Sequence, residues 1–160
     1  MGGNPPIVVG DEALEIYTQG SYTTGDIDIK APKDLISRVL QNFNFKNVGR
    51  LWINEELDIY IDWLGDSLDE GKEAEDRLVE IELSEGLTLR VISIEDLIID
   101  RLNAYKWWSD QDSRMWAEIL LEIADSIDHS LDWGYLKKRS TEENLEEIFE
   151  GLKRRYDQKG

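Results

Sequence analysis

Asp26 and Asp28 stand two residues apart in Asp26-Ile-Asp-Ile-Lys30, a stretch in which polar and apolar residues alternate. Alternation with a period of two predicts a β-strand with both aspartates on one face and both isoleucines on the other. Two carboxylates placed in this way can both reach a hard divalent cation, which prefers oxygen ligands. With a third carboxylate on a neighbouring strand they would form a site for one or two Mg²⁺ or Mn²⁺ ions.

Asp62 is the best candidate for that third carboxylate, because it lies in Ile61-Asp62-Trp63 within a second alternating stretch. Asp58 falls on the same predicted face and is the second choice. A solvated sheet face is the competing interpretation, since 35 of the 160 residues are acidic and Glu80-Ile-Glu82 has the same form.

The elements that must position these aspartates follow from hydrophobic periodicity and from turn residues. Strands are predicted over 6–10, 26–30, 50–54, 57–64, 78–83 and 87–92, and helices near 11–19, 32–43, 94–107, 112–127, 132–140 and 142–156. Residues 65–76 read as an acidic loop. The prediction is an α+β fold with two domains: a mixed sheet with helices over 1–93 and a helical bundle over 94–160.

The formal net charge of −17 limits the classes of partner. A chain this acidic repels nucleic acid and anionic membranes at long range, which argues against nonspecific DNA binding. The absence of cysteine excludes disulfides and thiolate metal sites. Residues 1–6 carry neither the basic nor the apolar region of a secretion signal, so we expect a cytoplasmic protein without a membrane partner.

Three segments together resemble the polymerase-beta-type nucleotidyltransferase superfamily. They are Ile7-Val-Val-Gly10, the helix ending in Tyr17-Thr-Gln-Gly20, and Ser21-Tyr-Thr-Thr-Gly-Asp-Ile-Asp-Ile29. Within that superfamily the chain is similar to small prokaryotic nucleotidyltransferase-like proteins, which are related to abortive-infection nucleotidyltransferase toxins. The later stretches 92–104 and 112–117 resemble the helical half of that group.

The resemblance implies a nucleotidyltransferase-type mixed sheet and the transfer of a nucleoside monophosphate from an NTP to an acceptor. It assigns Asp26, Asp28 and Asp62 to Mg²⁺ or Mn²⁺ and to catalysis, and Gly10, Asp11 and Arg101 to nucleotide binding. The acceptor is open, with a protein or a small molecule favoured over RNA because of the negative charge. The alternative is a catalytically degenerate binding module, such as a partner-binding component of a toxin–antitoxin pair.

One departure from the superfamily pattern bears on activity. The usual glycine followed by glycine or serine is here Gly10-Asp11, which puts a negative charge where a phosphate would approach a helix N-terminus. We expected Asp11 also to improve the capping of that helix. Gly20-Ser21 does not replace the motif, because the four residues between it and Asp26 leave no room for the intervening helix.

Arg101 falls within the apolar stripe of the predicted helix 94–107, where a charge needs a partner. Either it forms a structural ion pair with Asp112, or it binds nucleotide phosphates. His129, the single histidine, is expected in a surface loop. Trp107 and Trp108 could stack on a base, but packing within the core or between helices was the favoured interpretation.

Overall fold

The computed structural model describes residues 5–159. Residues 1–4, which contributed to the expectation that the chain has no secretion signal, lie outside this range. The chain divides into two compact units, Met1–Ser93 and Ile94–Gly160.

The first unit is built on one mixed sheet of seven strands in the order β3-β4-β5-β2-β1-β7-β6. β2 pairs in parallel with β5, and β1 pairs in parallel with β7, while the other neighbours are antiparallel. The strands are β1 Ile7–Val8, β2 Asp26–Lys30, β3 Lys46–Val48, β4 Leu51–Asn54, β5 Ile59–Trp63, β6 Val79–Ser84 and β7 Leu87–Val91, and the helices are α1 Gly10–Tyr17, α2 Lys33–Asn42 and α3 Lys72–Asp76.

One face of this sheet packs against α2. The isoleucines of β2 lie in an apolar cluster with the stripe of α2, as the alternation in the sequence predicted. The buried members of the cluster are Ile29, Ala31, Ile36, Leu40 and Trp52, and Ile27, Phe45, Ile61 and Trp63 pack against them. Because side chains alternate along a strand, the aspartates of β2 are left on the opposite face.

Two local predictions for the first unit were incomplete. The sequence analysis missed β3, whose three residues are all exposed, because an exposed edge strand carries no hydrophobic alternation. The expected loop 65–76 contains the short helix α3 and is anchored by Leu68 and Ala74, which are buried. Apolar anchors make this segment part of the packed unit.

The second unit consists of four helices, which completes the predicted α+β fold. They are α4 Ile94–Trp107, α5 Asp112–Ser126, α6 Trp133–Glu142 and α7 Glu146–Lys159. Leucines and a phenylalanine, with little or no exposure, fill the space between them: Leu97, Leu102, Leu120, Leu136, Leu145, Phe149 and Leu152. Over residues 5–159, no helix has the length and apolarity needed to cross a bilayer.

A buried polar network links α4 to α6. The hydroxyl of Tyr135 donates a 2.7 Å hydrogen bond to Asp96, and Nε of Arg139 lies 3.4 Å from the same carboxylate. Arg139 also contacts Glu142 and Glu143, and these carboxylates together with Asp96 raise its pKa against the opposing effect of burial. A buried charge is tolerated when it is paired, and here three carboxylates share that role.

Candidate functional site

Asp28 and Asp62 are direct neighbours across the parallel pair β2–β5. The register joins Asp28 to Asp62 and Asp26 to Tyr60. Strands lie about 4.8 Å apart, and residues opposite each other in a register share a face. The structure therefore brings Asp26, Asp28 and Asp62 onto one sheet face.

Asp58, the second choice for the third carboxylate, is not part of this group. β5 begins at Ile59, and Asp58 lies in the preceding turn with a φ of +54°. Asp58 thus precedes β5, and the pairing with β2 begins only at Tyr60. Of the two aspartates, Asp62 alone is paired with the Asp-x-Asp strand.

The connection from β1 to α1 approaches Asp28 closely. Gly10 has a φ of +55°, and a Cβ atom at this position would lie 2.7 Å from Oδ2 of Asp28. The amide of Asp11 donates a 3.2 Å hydrogen bond to the same oxygen. The backbone conformation therefore favours glycine here, and a Cβ atom would force the carboxylate of Asp28 to move.

Asp11 does not cap α1, contrary to the expectation from the sequence. The N-cap position is Val9, and no side chain forms a capping hydrogen bond there. Asp11 stands in the first turn, where its charge interacts favourably with the helix dipole. Its effect on the site comes from its backbone amide and its charge.

Burial raises the pKa of Asp28 from 3.8 to about 6. The hydrogen bond from the Asp11 amide opposes this shift, while the negative charges of Asp11, Asp62 and Asp26 add to it. Burial likewise raises the pKa of Glu12 to about 7, with further contributions from Glu15 and Asp28. Several carboxylates thus compete for protons at one place, a pattern typical of functional sites and of cation sites in particular.

Arg50, which immediately precedes β4, is a cationic neighbour of Asp62. Nε of Arg50 lies 2.9 Å from Oδ1 of Asp62. This oxygen is buried and receives no hydrogen bond from any described residue, so the N–H group is not directed at it. The contact is an ion pair that leaves a buried acceptor atom unsatisfied, which is costly unless another group binds there.

These features can be compared with what a divalent cation needs. Carboxylate oxygens are suitable donors for Mg²⁺ or Mn²⁺, and an unsatisfied oxygen on Asp62 fits such an ion. Within residues 5–159, however, no three His, Cys, Asp or Glu side chains are already arranged to hold a metal together. The three aspartates are a chemically suitable donor set on one face, and side-chain rotation would be needed to bring their oxygens onto one ion.

Arg101 is buried in α4, and its partner differs from the one considered from sequence. Nη2 and Nε of Arg101 donate hydrogen bonds of 2.6 and 3.0 Å to Asp100. Asp112 is exposed at the start of α5 and forms no pair with Arg101, so that structural alternative was wrong. Phosphate binding by Arg101 stays a prediction.

Sequence reasoning missed Arg50 and Glu12, which lie beside the aspartates. No local pattern marks either residue, because their proximity to Asp62 and Asp28 depends on strand pairing and on the placement of α1. His129 lies in the irregular segment between α5 and α6, as expected of a loop residue, and its Nε2 is 2.7 Å from the buried Glu95.

The two tryptophans at the end of α4 also differ from the favoured interpretation. Trp107 is 56% exposed and Trp108 is 83% exposed. Neither is buried in a core or between helices.

Comparison with known proteins agrees with this architecture. A family model described as a nucleotidyltransferase of unknown function (DUF6036) matches residues 4–158, so the chain belongs to that family. A similar solved structure is the solution structure of the antibiotic-resistance factor ANT(2'')-Ia, with a TM-score of 0.54 at 14% identity over 96% of this chain and 88% of that chain. At this identity the likeness shows the nucleotidyltransferase-like fold alone. No curated protein sequence matches the chain.

Proposed function

We propose that this DUF6036 nucleotidyltransferase transfers a nucleoside monophosphate from an NTP to an acceptor, using Mg²⁺ or Mn²⁺ held by Asp26, Asp28 and Asp62. The observation that carries the proposal is the register of β2 and β5, which pairs Asp28 with Asp62. The buried, unsatisfied Oδ1 of Asp62 supports it further.

In the proposed reaction, an acceptor hydroxyl oxygen forms a bond to the α-phosphorus. The bond from that phosphorus to the bridging oxygen breaks, and pyrophosphate leaves. When bound, the divalent ions would neutralise charge on the phosphates and on the attacking and leaving oxygens. Asp62 would bind the second ion or accept the hydroxyl proton, and in either role it would have to exchange the Arg50 guanidinium that lies 2.9 Å from its Oδ1.

Two other residues have proposed binding roles. Gly10 would allow the phosphates to approach the backbone at the start of α1, because it carries no side chain. Arg101 would bind the triphosphate, since a guanidinium can grip phosphate through two parallel hydrogen bonds. Residues 1–93 then serve as the catalytic core and 94–160 as a separate helical domain. A protein or a small molecule is the favoured acceptor because of the chain's net charge.

The alternative is a degenerate nucleotidyltransferase-fold binding module, for example one component of a toxin–antitoxin pair. Asp11 favours it, because its negative charge acts on Asp28 where phosphate would bind. The ion pair between Arg50 and Asp62 favours it too, because an arginine beside the third carboxylate competes with a cation.

The two functions can be separated by incubation with labelled NTPs, Mg²⁺ or Mn²⁺ and cell extract as the source of acceptor. An enzyme gives a labelled product and pyrophosphate, and Asp26→Asn/Asp28→Asn abolishes both. Glu80→Gln/Glu82→Gln is the matched control, since it removes two exposed carboxylates of the same spacing from β6 and should leave the activity unchanged.

Thermal unfolding with NTP provides the second measurement. Stabilisation by NTP that needs Mg²⁺ and disappears in Asp26→Ala/Asp28→Ala supports the enzyme. Failure of millimolar NTP to raise the melting temperature, together with no labelled product, would overturn the proposal and leave the binding module.

A further inference from the structure

The helical unit carries an open groove of about 540 Å³ that the proposed reaction does not use. It is lined by residues from the end of α4, the start of α5 and from α7. The lining includes Tyr105, Lys106, Arg114, Glu147 and Arg154, and its other residues are uncharged. Three of these residues are cationic and one is acidic, in a chain whose net charge is −17.

The cations of the groove are only partly satisfied. Nε of Arg114 is buried without a hydrogen bond, and its nearest carboxylate, on Glu118, lies 3.9 Å away. Arg154 is exposed and has no ion pair with any described residue. Lys106 donates a hydrogen bond to the carbonyl of Asn144. Arg114 thus has a long ion pair and an unsatisfied Nε, and Arg154 has no ion pair among the described residues. Guanidinium groups of this kind beside a concave surface favour an anionic ligand, and phosphate suits them best.

Aromatic rings accompany these charges. The guanidinium of Arg114 lies 5.9 Å from the ring centroid of Tyr105, and Nζ of Lys106 lies 4.5 Å from that of Trp107. Trp107 and Trp108 are both more than half exposed, although an indole usually finds a packing partner. Trp107 does not itself line the groove, but it lies beside Lys106, which does. An exposed indole next to a cation is suited to stack on a planar base while the cations contact a phosphate.

We infer that this groove binds a nucleoside phosphate, with the phosphate on Arg154 and Arg114 and the base stacked on an exposed tryptophan. The inference goes beyond the proposed reaction, because every residue of the groove belongs to the helical unit and none needs a metal ion. The ligand can be a free nucleotide or the end of a single-stranded RNA. Whole-chain charge argues against RNA, but short-range contacts depend on the local charge of the groove.

Isothermal titration in EDTA tests the groove separately from the aspartates. The probes are AMP, ribose 5-phosphate, which lacks the base, and adenosine, which lacks the phosphate. AMP should bind at least about fivefold more tightly than either fragment, because base stacking and phosphate contact each contribute. If AMP does not bind at concentrations up to about 10 mM, or if ribose 5-phosphate binds as tightly as AMP, the inference is overturned.

Variants define the site. Arg154→Glu should weaken AMP binding roughly tenfold or more, because it replaces a phosphate contact by repulsion. Its matched control is Lys137→Glu, which reverses an exposed charge on α6 away from the groove lining. Trp107→Ala or Trp108→Ala should weaken AMP binding, whereas replacing the same tryptophan by phenylalanine should retain it. Phe43→Ala is the control, because it removes an exposed ring from the other unit and should leave AMP binding unchanged. If Arg154→Glu and both alanine variants bind AMP like the wild type, the inference is wrong.

The same variants identify the source of the ligand. If fluorescein-labelled r(A)6 binds more tightly than AMP, and Arg154→Glu weakens that binding, the ligand is single-stranded RNA. Equal affinities indicate a free nucleotide. Asp28→Asn should change neither affinity. An error in the groove inference and an error in the proposed nucleotidyltransferase function therefore give different results.

Discussion

The amide of Asp11 donates a hydrogen bond to Oδ2 of Asp28, so the first turn of α1 is joined directly to the Asp-x-Asp strand. This contact brings two opposite effects to one carboxylate. The N–H group stabilises the ionised form of Asp28, while the side-chain charge of Asp11 destabilises it. The protonation of Asp28 therefore depends on its burial and on how these two effects of Asp11 balance.

Replacing Gly10 should be costlier than replacing a glycine with the same backbone conformation elsewhere. Gly10→Ala places a Cβ atom 2.7 Å from Asp28, whereas Gly20, with a φ of +84°, has no atom within 4 Å. Left-handed backbone costs a non-glycine residue about 1–2 kcal/mol, so Gly20→Ala should lose that much and Gly10→Ala more. Urea unfolding of the two variants measures the difference. Equal losses would mean that the carboxylate simply rotates away.

The contribution of Asp28 to the stability of the metal-free protein should fall as pH rises through the window from about 4 to about 6. Asp28 has a pKa of 3.8 when unfolded and about 6 when folded. Between these values the folded protein binds more protons, so unfolding releases protons and stability decreases with pH. Asp28→Asn should remove this contribution, and its stabilising effect relative to the wild type should be larger at pH 7 than at pH 4.5.

Denaturant unfolding at the two pH values measures that effect, with the exposed Glu80→Gln as a control for the loss of one negative charge. A stabilising effect of Asp28→Asn that is the same at both pH values would show that Asp28 is not the group responsible.

Asp11→Asn should strengthen the binding of NTP in the presence of Mg²⁺. The substitution keeps the backbone hydrogen bond to Asp28 and removes a negative charge beside it, so it also lowers the pKa of Asp28. A Kd for NTP that falls by about an order of magnitude corresponds to about 1.4 kcal/mol, a reasonable effect for one nearby charge. Calorimetry gives the Kd directly. An unchanged Kd would show that the charge of Asp11 does not oppose NTP binding.

Tyr135→Phe should destabilise the helical unit. It removes the donor of the buried 2.7 Å hydrogen bond to Asp96 and leaves that carboxylate with fewer partners, which costs about 1–3 kcal/mol. Tyr156→Phe removes an exposed hydroxyl that donates to Asp125, and should cost less than about 1 kcal/mol. Thermal unfolding compares the pair. Equal losses would argue against the importance of the Asp96 network.

Local patterns in the sequence were sufficient wherever the relevant information is periodic. The alternation in 26–30 and in the stretch around Asp62 predicted which side chains share a face, since a strand must alternate its side chains. The apolar stripes predicted the four C-terminal helices with shifts of a few residues at their ends. The nucleotidyltransferase-type fold was implied by the resemblance of segments 7–10, 17–20 and 21–29 to the polymerase-beta-type superfamily, and the DUF6036 match and the solved structure agree with it.

Only the tertiary structure decided which residues from different elements are neighbours. The register of β5 placed Asp62 opposite Asp28 and left Asp58 in a turn, although both have the same parity in sequence. The pairing of β4 with β5 also brought Arg50 to Asp62, and the packing of the helices joined His129 to Glu95 and left two tryptophans exposed. Periodicity describes the faces of one element, whereas the partner of a side chain depends on how separate elements pack, and this packing carries no signal in the local sequence.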